Sequence, residues 1–133
     1  MAIQADWERK GAGVGAILVI DDDPVTTKLL ELSFQPGHEV HIARDMASGR
    51  RALEESGYDA LILDIFLPDG SGWEILKYLR NELHLTLPVF VLTGHRQEDF
   101  ARRAIELGAD GYVTKPFSPR ELLTQIDQLA LAG

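Results

Sequence analysis

The sequence predicts an α/β fold in which a doubly wound, five-stranded parallel sheet lies between helices. Short apolar runs alternate along the chain with segments whose apolar residues recur at helical spacing. Several of the runs are apolar throughout, which is typical of strands that are buried on both faces of a parallel sheet. Right-handed crossovers through the intervening helices would keep these strands parallel. The length of 133 residues and the hydrophobic content of 45% suit one compact domain.

Composition narrows the class of protein further. The formal charge of -8 and the pI near 4.9 argue against a surface that binds nucleic acid, because such a surface needs clustered cations. No apolar run approaches the roughly 20 residues that cross a bilayer, and the first residues lack the pattern of a secretion signal. We therefore expect a soluble cytoplasmic protein without membrane contact. Because the chain has no cysteine, any metal would be bound by oxygen or imidazole.

The first 15 residues are expected to form a flexible N-terminal tail. They contain a lone Trp7 and the glycine-rich run from Gly11 to Gly15, and they show no sustained period. The folded domain is predicted to span residues 16–131.

Five strands are predicted from the apolar runs, and most of them are rich in Val, Ile or Leu. In chain order they are Ala16 to Asp21, Glu39 to Ala43, Ala60 to Asp64, Pro88 to Thr93 and Gly111 to Thr114.

Each strand is followed by a segment with one apolar stripe at helical spacing. The predicted stripes are Val25, Leu29 and Leu32; Met46, Gly49 and Leu53; Leu76, Leu79 and Leu83; Phe100, Ala104 and Leu107; and Leu122, Ile126 and Leu129. Asp23 directly precedes Pro24, which predicts an N-cap followed by proline at the first helical position. Ser71 is a second candidate N-cap, and Gly108 is a candidate C-cap.

Polar residues stand where four of the apolar runs end. Asp21 and Asp22 follow the first run, while Asp64, Thr93 and Lys115 end three later ones. Ligands of open parallel sheets bind beyond the carboxyl ends of the strands, so these side chains are expected to converge there.

Such a set suits phosphoryl transfer. Clustered carboxylates without thiolates favour a hard cation such as Mg²⁺, and a lysine and a threonine hydroxyl can engage phosphoryl oxygens. A carboxylate nucleophile is one possible acceptor. Each residue also has a simpler explanation, since acidic residues often cap helices or lie in turns and lysines are usually on the surface. The joint placement at four strand ends favours the functional interpretation.

Other polar residues are given structural roles. Asp69 is interpreted as a turn former, and Arg102 and Arg103 as a solvated helix face. The four histidines are dispersed without metal-ligand spacing and are assigned no chemistry; they are His38, His41, His84 and His95.

These residues make the chain resemble the receiver domain of two-component response regulators. The resemblance covers about Ala16 to Leu129 and rests on four motifs in the family's order: Ile17 to Pro24, Leu63 to Gly72, Val91 to Gly94 and Gly108 to Phe117. It implies a flavodoxin-like (βα)5 fold with the strand order 2-1-3-4-5.

The resemblance also implies an acceptor and its donor. Asp64 would take a phosphoryl group from a phosphohistidine on a sensor histidine kinase or a histidine phosphotransfer protein. Asp21 and Asp22 would hold Mg²⁺ together with Asp64 and the backbone carbonyl of Phe66, with Asp21 acting largely through water. By this likeness the chain is a regulatory phosphoacceptor domain rather than an enzyme, although it would assist its own phosphorylation and dephosphorylation.

A conformational switch is implied as well. Lys115 would pair with Asp64 before phosphorylation and with phosphoryl oxygens afterwards, while Thr93 and Tyr112 would move toward the site. The surface of the fourth helix, fifth strand and fifth helix would then contact a downstream protein or an effector domain. In this family the Lys115–Pro116 bond is cis, and Gly94 is small so that Asp64 stays accessible. Phe66 and His95 occupy positions that influence the lifetime of the phosphoryl group.

Two other functions remain open from the sequence. The Asp21-x-Asp23 pattern also resembles the first motif of haloacid-dehalogenase-type phosphatases, in which Asp21 would be the nucleophile. Against this, no paired acidic motif follows a later strand. The second alternative is an interaction domain of the same fold that is not phosphorylated.

Overall fold

A computed structural model describes residues 15–35, 37–55, 57–94 and 98–132. Almost all of the predicted N-terminal tail lies outside the described residues, and so does His95. The flexible tail and the absence of a chemical role for His95 therefore stay predictions. Within the described ranges, no helix has the length and apolar character needed to cross a membrane.

The predicted five-stranded parallel sheet is confirmed. Its strands are β1 (Ala16–Ile20), β2 (Glu39–Ala43), β3 (Ala60–Leu63), β4 (Val89–Thr93) and β5 (Gly111–Thr114). They pair in parallel in the order β2-β1-β3-β4-β5, which is the order that the resemblance implied. The strands β1, β3 and β4 are buried along their whole length, as their continuous apolar runs predict.

In the described part of the chain, five helices cover the two faces of the sheet. They are α1 (Pro24–Phe34), α2 (Met46–Glu55), α3 (Gly72–Lys77), α4 (Glu98–Glu106) and α5 (Pro119–Ala132). A π-helical turn, Tyr78–Glu82, extends α3. A small antiparallel hairpin between β3 and α3 pairs Phe66–Leu67 with Gly70–Ser71, and we call it the 66–71 hairpin.

The predicted caps are present. Asp23 accepts a hydrogen bond from the backbone N–H of Val25 at 3.1 Å, and Ser71 accepts one from Trp73 at 3.1 Å. Gly108, two residues past the end of α4, has a φ of 105°, a left-handed conformation that glycine adopts without strain. The bond between Lys115 and Pro116 is cis.

The predicted inward face of α1 is wrong. Val25, Leu29 and Leu32 are 74%, 40% and 67% exposed. The buried residues of α1 are instead Thr26, Thr27, Leu30 and Phe34. The threonines tolerate burial because their hydroxyls donate hydrogen bonds locally, Thr26 to Asp23 at 2.6 Å and Thr27 to the Pro24 carbonyl at 3.3 Å.

The other helical stripes pack against the sheet, with one exception. Buried residues form two clusters, one built around Leu18, Leu61 and Leu76 and the other around Ile17, Ile62 and Ile126. Leu129, the last member of the α5 stripe, is 36% exposed. The core therefore fixes the central strands, and the site lies where those strands end.

Candidate functional site

The carboxyl ends of β1, β3, β4 and β5 form a rim that gathers the predicted polar residues. Parallel register places the ends of β1 and β3 side by side, with Ile20 opposite Leu63. The ladder continues past both strands, because the N–H of Asp64 donates to the Ile20 carbonyl at 2.9 Å. On the other side, the N–H of Lys115 donates to the Thr93 carbonyl at 2.8 Å. Backbone hydrogen bonds therefore hold the rim residues in place.

Lys115 is the cation at the centre of this rim. Its Nζ lies 3.0 Å from Asp21 Oδ2, 3.2 Å from Asp64 Oδ2 and 3.8 Å from Asp23 Oδ2. Burial alone would lower the pKa of Lys115, but its close contacts with the carboxylates of Asp21 and Asp64 outweigh burial and raise the pKa. The ammonium therefore stays charged at neutral pH.

Asp21, Asp22 and Asp64 form an acidic cluster. One carboxylate oxygen of each lies within 4.8 Å of the others. Asp21 and Asp64 are buried, whereas Asp22 is exposed. Burial raises the pKa of Asp21 to about 6, and the charge of Asp64 adds to this, although the Asp23 N–H and Lys115 oppose it.

The cluster fits a hard divalent cation. Among the residues that the structure describes, one buried side-chain oxygen, Asp21 Oδ2, has no hydrogen-bond partner. Lys115 Nζ lies 3.0 Å away as an ion pair without hydrogen-bond geometry. Lys115 is shared with Asp64, so this buried carboxylate oxygen can still accept a further cation or donor. Carboxylate and carbonyl oxygens are the ligands that Mg²⁺ prefers, so these residues suit it.

Asp23 has a different role from its two neighbours. Its oxygens accept hydrogen bonds from the Val25 N–H and from the Thr26 hydroxyl. The hydrogen bond from Thr26 is the main cause that lowers the pKa of Asp23. The third carboxylate of the triplet therefore caps α1, as predicted.

The backbone after Asp64 is tightly packed. The N–H of Phe66 donates to Asp64 Oδ1 at 3.2 Å, and the N–H of Gly72 donates to the Ile65 carbonyl at 2.7 Å. A Cβ on Gly72 would lie 2.2 Å from the Asp64 carbonyl oxygen, so only glycine fits there without displacing the loop. Gly72 therefore fixes the base of the 66–71 hairpin directly behind Asp64.

Thr93 and Tyr112 flank the rim on β4 and β5. Thr93 is fully buried at the end of β4. Tyr112 is half-buried on β5, and burial raises the pKa of its hydroxyl. Gly94 is exposed, and a Cβ there would meet nothing within 4 Å.

Two residues that were given minor roles make specific contacts. Asp69, interpreted as a turn former, accepts hydrogen bonds from the N–H groups of Met46 and Ala47 at the start of α2. The guanidinium of Arg103 stacks over the Trp73 ring at 4.9 Å, so Arg103 is not merely solvated. Arg102 forms an exposed ion pair with Asp99, in line with the prediction. Both missed contacts are made across elements, where sequence spacing carries no signal.

Comparison with known proteins identifies a family for this architecture. A family model described as the response regulator receiver domain matches residues 17–127. The chain is 38% identical over 112 residues to the phosphate regulon transcriptional regulatory protein PhoB of Escherichia coli strain K12, covering 83% of this chain and 49% of the relative. It is 39% identical over 116 residues to the transcriptional regulatory protein GltR of Pseudomonas aeruginosa, covering 86% and 48%. The chain thus spans about half the length of these curated relatives.

Solved structures show the same fold. The Francisella response regulator 1452 receiver domain superposes with a TM-score of 0.81 at 27% identity, covering 87% of this chain and 96% of that one. The BeF3-activated DrrB receiver domain gives a TM-score of 0.77 at 32% identity, covering 90% and 98%.

Proposed function

This chain belongs to the family of response regulator receiver domains, the regulatory domains of two-component systems, and we propose that Asp64 is its phosphoacceptor. The observation that carries the proposal is the orientation of the Asp64 carboxylate, which is buried at the rim with a donor at each oxygen. Oδ1 accepts from the Phe66 N–H at 3.2 Å, and Oδ2 lies 3.2 Å from Lys115 Nζ. A carboxylate held in this way is positioned as a nucleophile.

In the proposed reaction, a carboxylate oxygen of Asp64 forms a bond to phosphorus. The bond between phosphorus and an imidazole nitrogen of the phosphohistidine donor breaks, and that nitrogen keeps the electron pair. Lys115 then has a phosphoryl oxygen to contact in place of the free carboxylate, and the hydroxyl of Thr93 can donate to another. The domain would in this way assist its own phosphorylation, and the same groups would act in dephosphorylation.

The acidic cluster supports a metal-dependent reaction. Asp21, Asp22 and Asp64 would hold Mg²⁺ together with the backbone carbonyl oxygen of Phe66. Bound Mg²⁺ would neutralise negative charge on the transferred phosphoryl group. The carboxylate oxygen of Asp21 that lacks a hydrogen bond is the feature of the structure that supports this proposal best.

The same geometry supports a switch at the surface of α4, β5 and α5. Thr93 and Tyr112 would turn toward the phosphorylated Asp64, because the added charge and acceptors favour one of two packings. Tyr112 lines a cleft of about 620 Å³ together with Phe117 and Leu122, so its movement would reshape this surface. The Phe66 ring also lies 6.1 Å from that of Phe100 on α4, which supports communication with α4.

The exposed stripe of α1 supports a protein partner. Val25, Leu29 and Leu32 begin two residues after Asp23 and leave an apolar surface beside the rim. We propose that a sensor histidine kinase or a histidine phosphotransfer protein in the cytoplasm presents its phosphohistidine to this end of the molecule. A downstream protein or an effector domain would respond, and any contact with nucleic acid would be made by that domain.

Intact mass spectrometry after incubation with acetyl phosphate and MgCl2 tests the proposal. Wild-type protein should gain the mass of one phosphoryl group, and both excess EDTA and Asp64→Asn should abolish the gain. Asp99→Asn is the matched control, because Asp99 is an exposed carboxylate on α4 that pairs with Arg102 and not with the acidic cluster, and this variant should be phosphorylated like wild type. A phosphoryl gain that survives Asp64→Asn but not Asp21→Asn would contradict the proposal and favour a phosphatase-like nucleophile.

A further inference from the structure

The tip of the 66–71 hairpin is attached to the N-terminus of α2. The carboxylate of Asp69 accepts two hydrogen bonds there, from the N–H of Met46 at 2.6 Å and from the N–H of Ala47 at 3.1 Å. The partners are 23 and 22 residues away along the chain. This contact therefore joins two separate loops at the carboxyl side of the sheet.

The first turn of α2 depends on Asp69 because its own cap serves other groups. Asp45 accepts from the N–H of Ser48 at 2.8 Å and from its hydroxyl at 2.5 Å, and the Asp45 carbonyl accepts from the N–H of Gly49 at 3.0 Å. The first two N–H groups of the helix, which a helix leaves without internal partners, are bound by Asp69. Asp45 and Asp69 thus cap the same helix, and of these two caps it is Asp69 that lies on the hairpin, where the Met46 side chain also packs against Gly70.

The hairpin transmits this attachment to the rim. Its two short strands pair Phe66 with Ser71 and Leu67 with Gly70, so the position of the tip fixes the position of Phe66. Phe66 in turn donates its N–H to Asp64 Oδ1. A displacement at Asp69 would therefore move the backbone of Phe66.

We propose that Asp69 is a positioning residue for the Mg²⁺ site, because it holds the 66–71 hairpin against α2 and thereby fixes the Phe66 backbone carbonyl. The inference rests on the proposed function, in which this carbonyl is a metal ligand. Residues that orient metal ligands affect metal affinity without touching the ion. The linkage is reciprocal, so Mg²⁺ binding should strengthen the attachment of the hairpin to α2.

Titration of the ¹⁵N-labelled 133-residue chain with MgCl2, followed by amide chemical shifts, tests this role. Asp69→Ala should weaken Mg²⁺ binding by about tenfold, since loss of a group that orients a ligand costs about this much. Asp45→Ala is the matched control: it removes the other cap of α2 and should change Mg²⁺ affinity by less than about twofold. Asp69→Asn keeps one acceptor oxygen and should give an intermediate affinity, which preserves the test if Asp69→Ala does not fold.

Hydrogen exchange adds a readout that a simple cap would not change. In wild type, Mg²⁺ should slow exchange of the Met46 and Ala47 amides, and in Asp69→Asn this effect should shrink. The inference is overturned if the Asp69 variants bind Mg²⁺ like wild type, or if Asp45→Ala weakens binding equally. Asp22→Asn should remove the chemical-shift changes that Mg²⁺ causes in wild type. If wild type shows no such changes, or if they persist in Asp22→Asn, the proposed metal site is wrong and this inference is overturned with it.

Discussion

The two ends of the parallel sheet carry charged networks of opposite character. At the carboxyl end, Lys115 faces the carboxylates of Asp21, Asp64 and Asp23, and Asp21 Oδ2 lacks a hydrogen bond. At the amino end, the Arg80 guanidinium is completely satisfied. It donates to the carbonyls of Gly108, Leu85 and Leu87 and to the Asp110 carboxylate, at distances between 2.7 and 3.2 Å.

Asp110 completes the network at the amino end. Besides Arg80, it accepts a hydrogen bond from the N–H of Val89 at 2.8 Å, at the start of β4. The side chains of Arg80 and Asp110 are 17% and 37% exposed, and all the guanidinium donors of Arg80 have acceptors. At the rim, the single ammonium of Lys115 faces the carboxylates of Asp21, Asp23 and Asp64, so negative charge remains in excess. The comparison indicates that the amino end of the sheet is built for stability, whereas the metal site proposed for the rim would explain why charge is left uncompensated there.

Removing the arginine should have the largest effect on stability. Arg80→Ala removes the side-chain donor from three carbonyls and one of the two donors to the Asp110 carboxylate, so we expect a loss of about 2 to 4 kcal/mol in the free energy of unfolding. Urea unfolding in EDTA measures this. Arg102→Ala is the control, because Arg102 forms an exposed ion pair with Asp99 and should cost less than about 0.5 kcal/mol. Equal losses in the two variants would contradict the contrast between the two ends.

The rim could be predicted from the sequence because each of its residues directly follows a local signal. An apolar run predicts a strand, and the polar residue that follows the run lies at the carboxyl end of that strand. Asp21, Asp64 and Lys115 are such residues. The caps at Asp23 and Ser71 were predictable for the same reason, since a cap acts within its own turn.

The rest of the structure depends on contacts that sequence spacing does not encode. Arg80 and Gly108 are 28 residues apart, and Asp69 and Met46 are 23 apart. The face of α1 was mispredicted because burial of Thr26 and Thr27 depends on hydroxyl hydrogen bonds, which a pattern of apolar residues cannot reveal. The sequence thus missed two kinds of contact, polar contacts between distant residues and the local hydrogen bonds of buried hydroxyl groups.

Substitution of two glycines beside the rim tests its packing, with a smaller expected effect on stability. Gly72→Ala should cost about 1 to 3 kcal/mol, because its Cβ would lie 2.2 Å from the Asp64 carbonyl oxygen and 2.9 Å from the Ile65 Cα, backbone atoms that cannot rotate away. Gly94→Ala should change stability by less than about 0.5 kcal/mol, since no atom lies within 4 Å of the added carbon. Thermal unfolding of both variants compares them directly, and a neutral Gly72→Ala would refute the close packing behind Asp64.

Asp21→Asn should stabilise the metal-free protein by about 1 to 2 kcal/mol at pH 7.5. The gain is smaller than the pKa shift of Asp21 alone would give, because the substitution also weakens the contact with Lys115. Burial raises the pKa of Asp21 from 3.8 to about 6, so the folded protein binds more protons than the unfolded chain between these values. The stability that wild type gains from a protonated Asp21 is therefore present below pH 3.8 and is lost as the pH rises through about 6. The amide of Asp21→Asn does not titrate, so this variant keeps its stability as the pH rises.

The difference between Asp21→Asn and wild type should thus be small near pH 4 and reach its full value above about pH 6. Urea unfolding in EDTA across this range measures it. Asp22→Asn is the control, because it removes the same charge from an exposed position in the same cluster and should stabilise less. If the Asp21→Asn and wild-type stability curves run parallel with pH, burial of Asp21 is not a cost to the fold. The rim would then be as well satisfied as the network around Arg80, and the contrast between the two ends of the sheet would disappear.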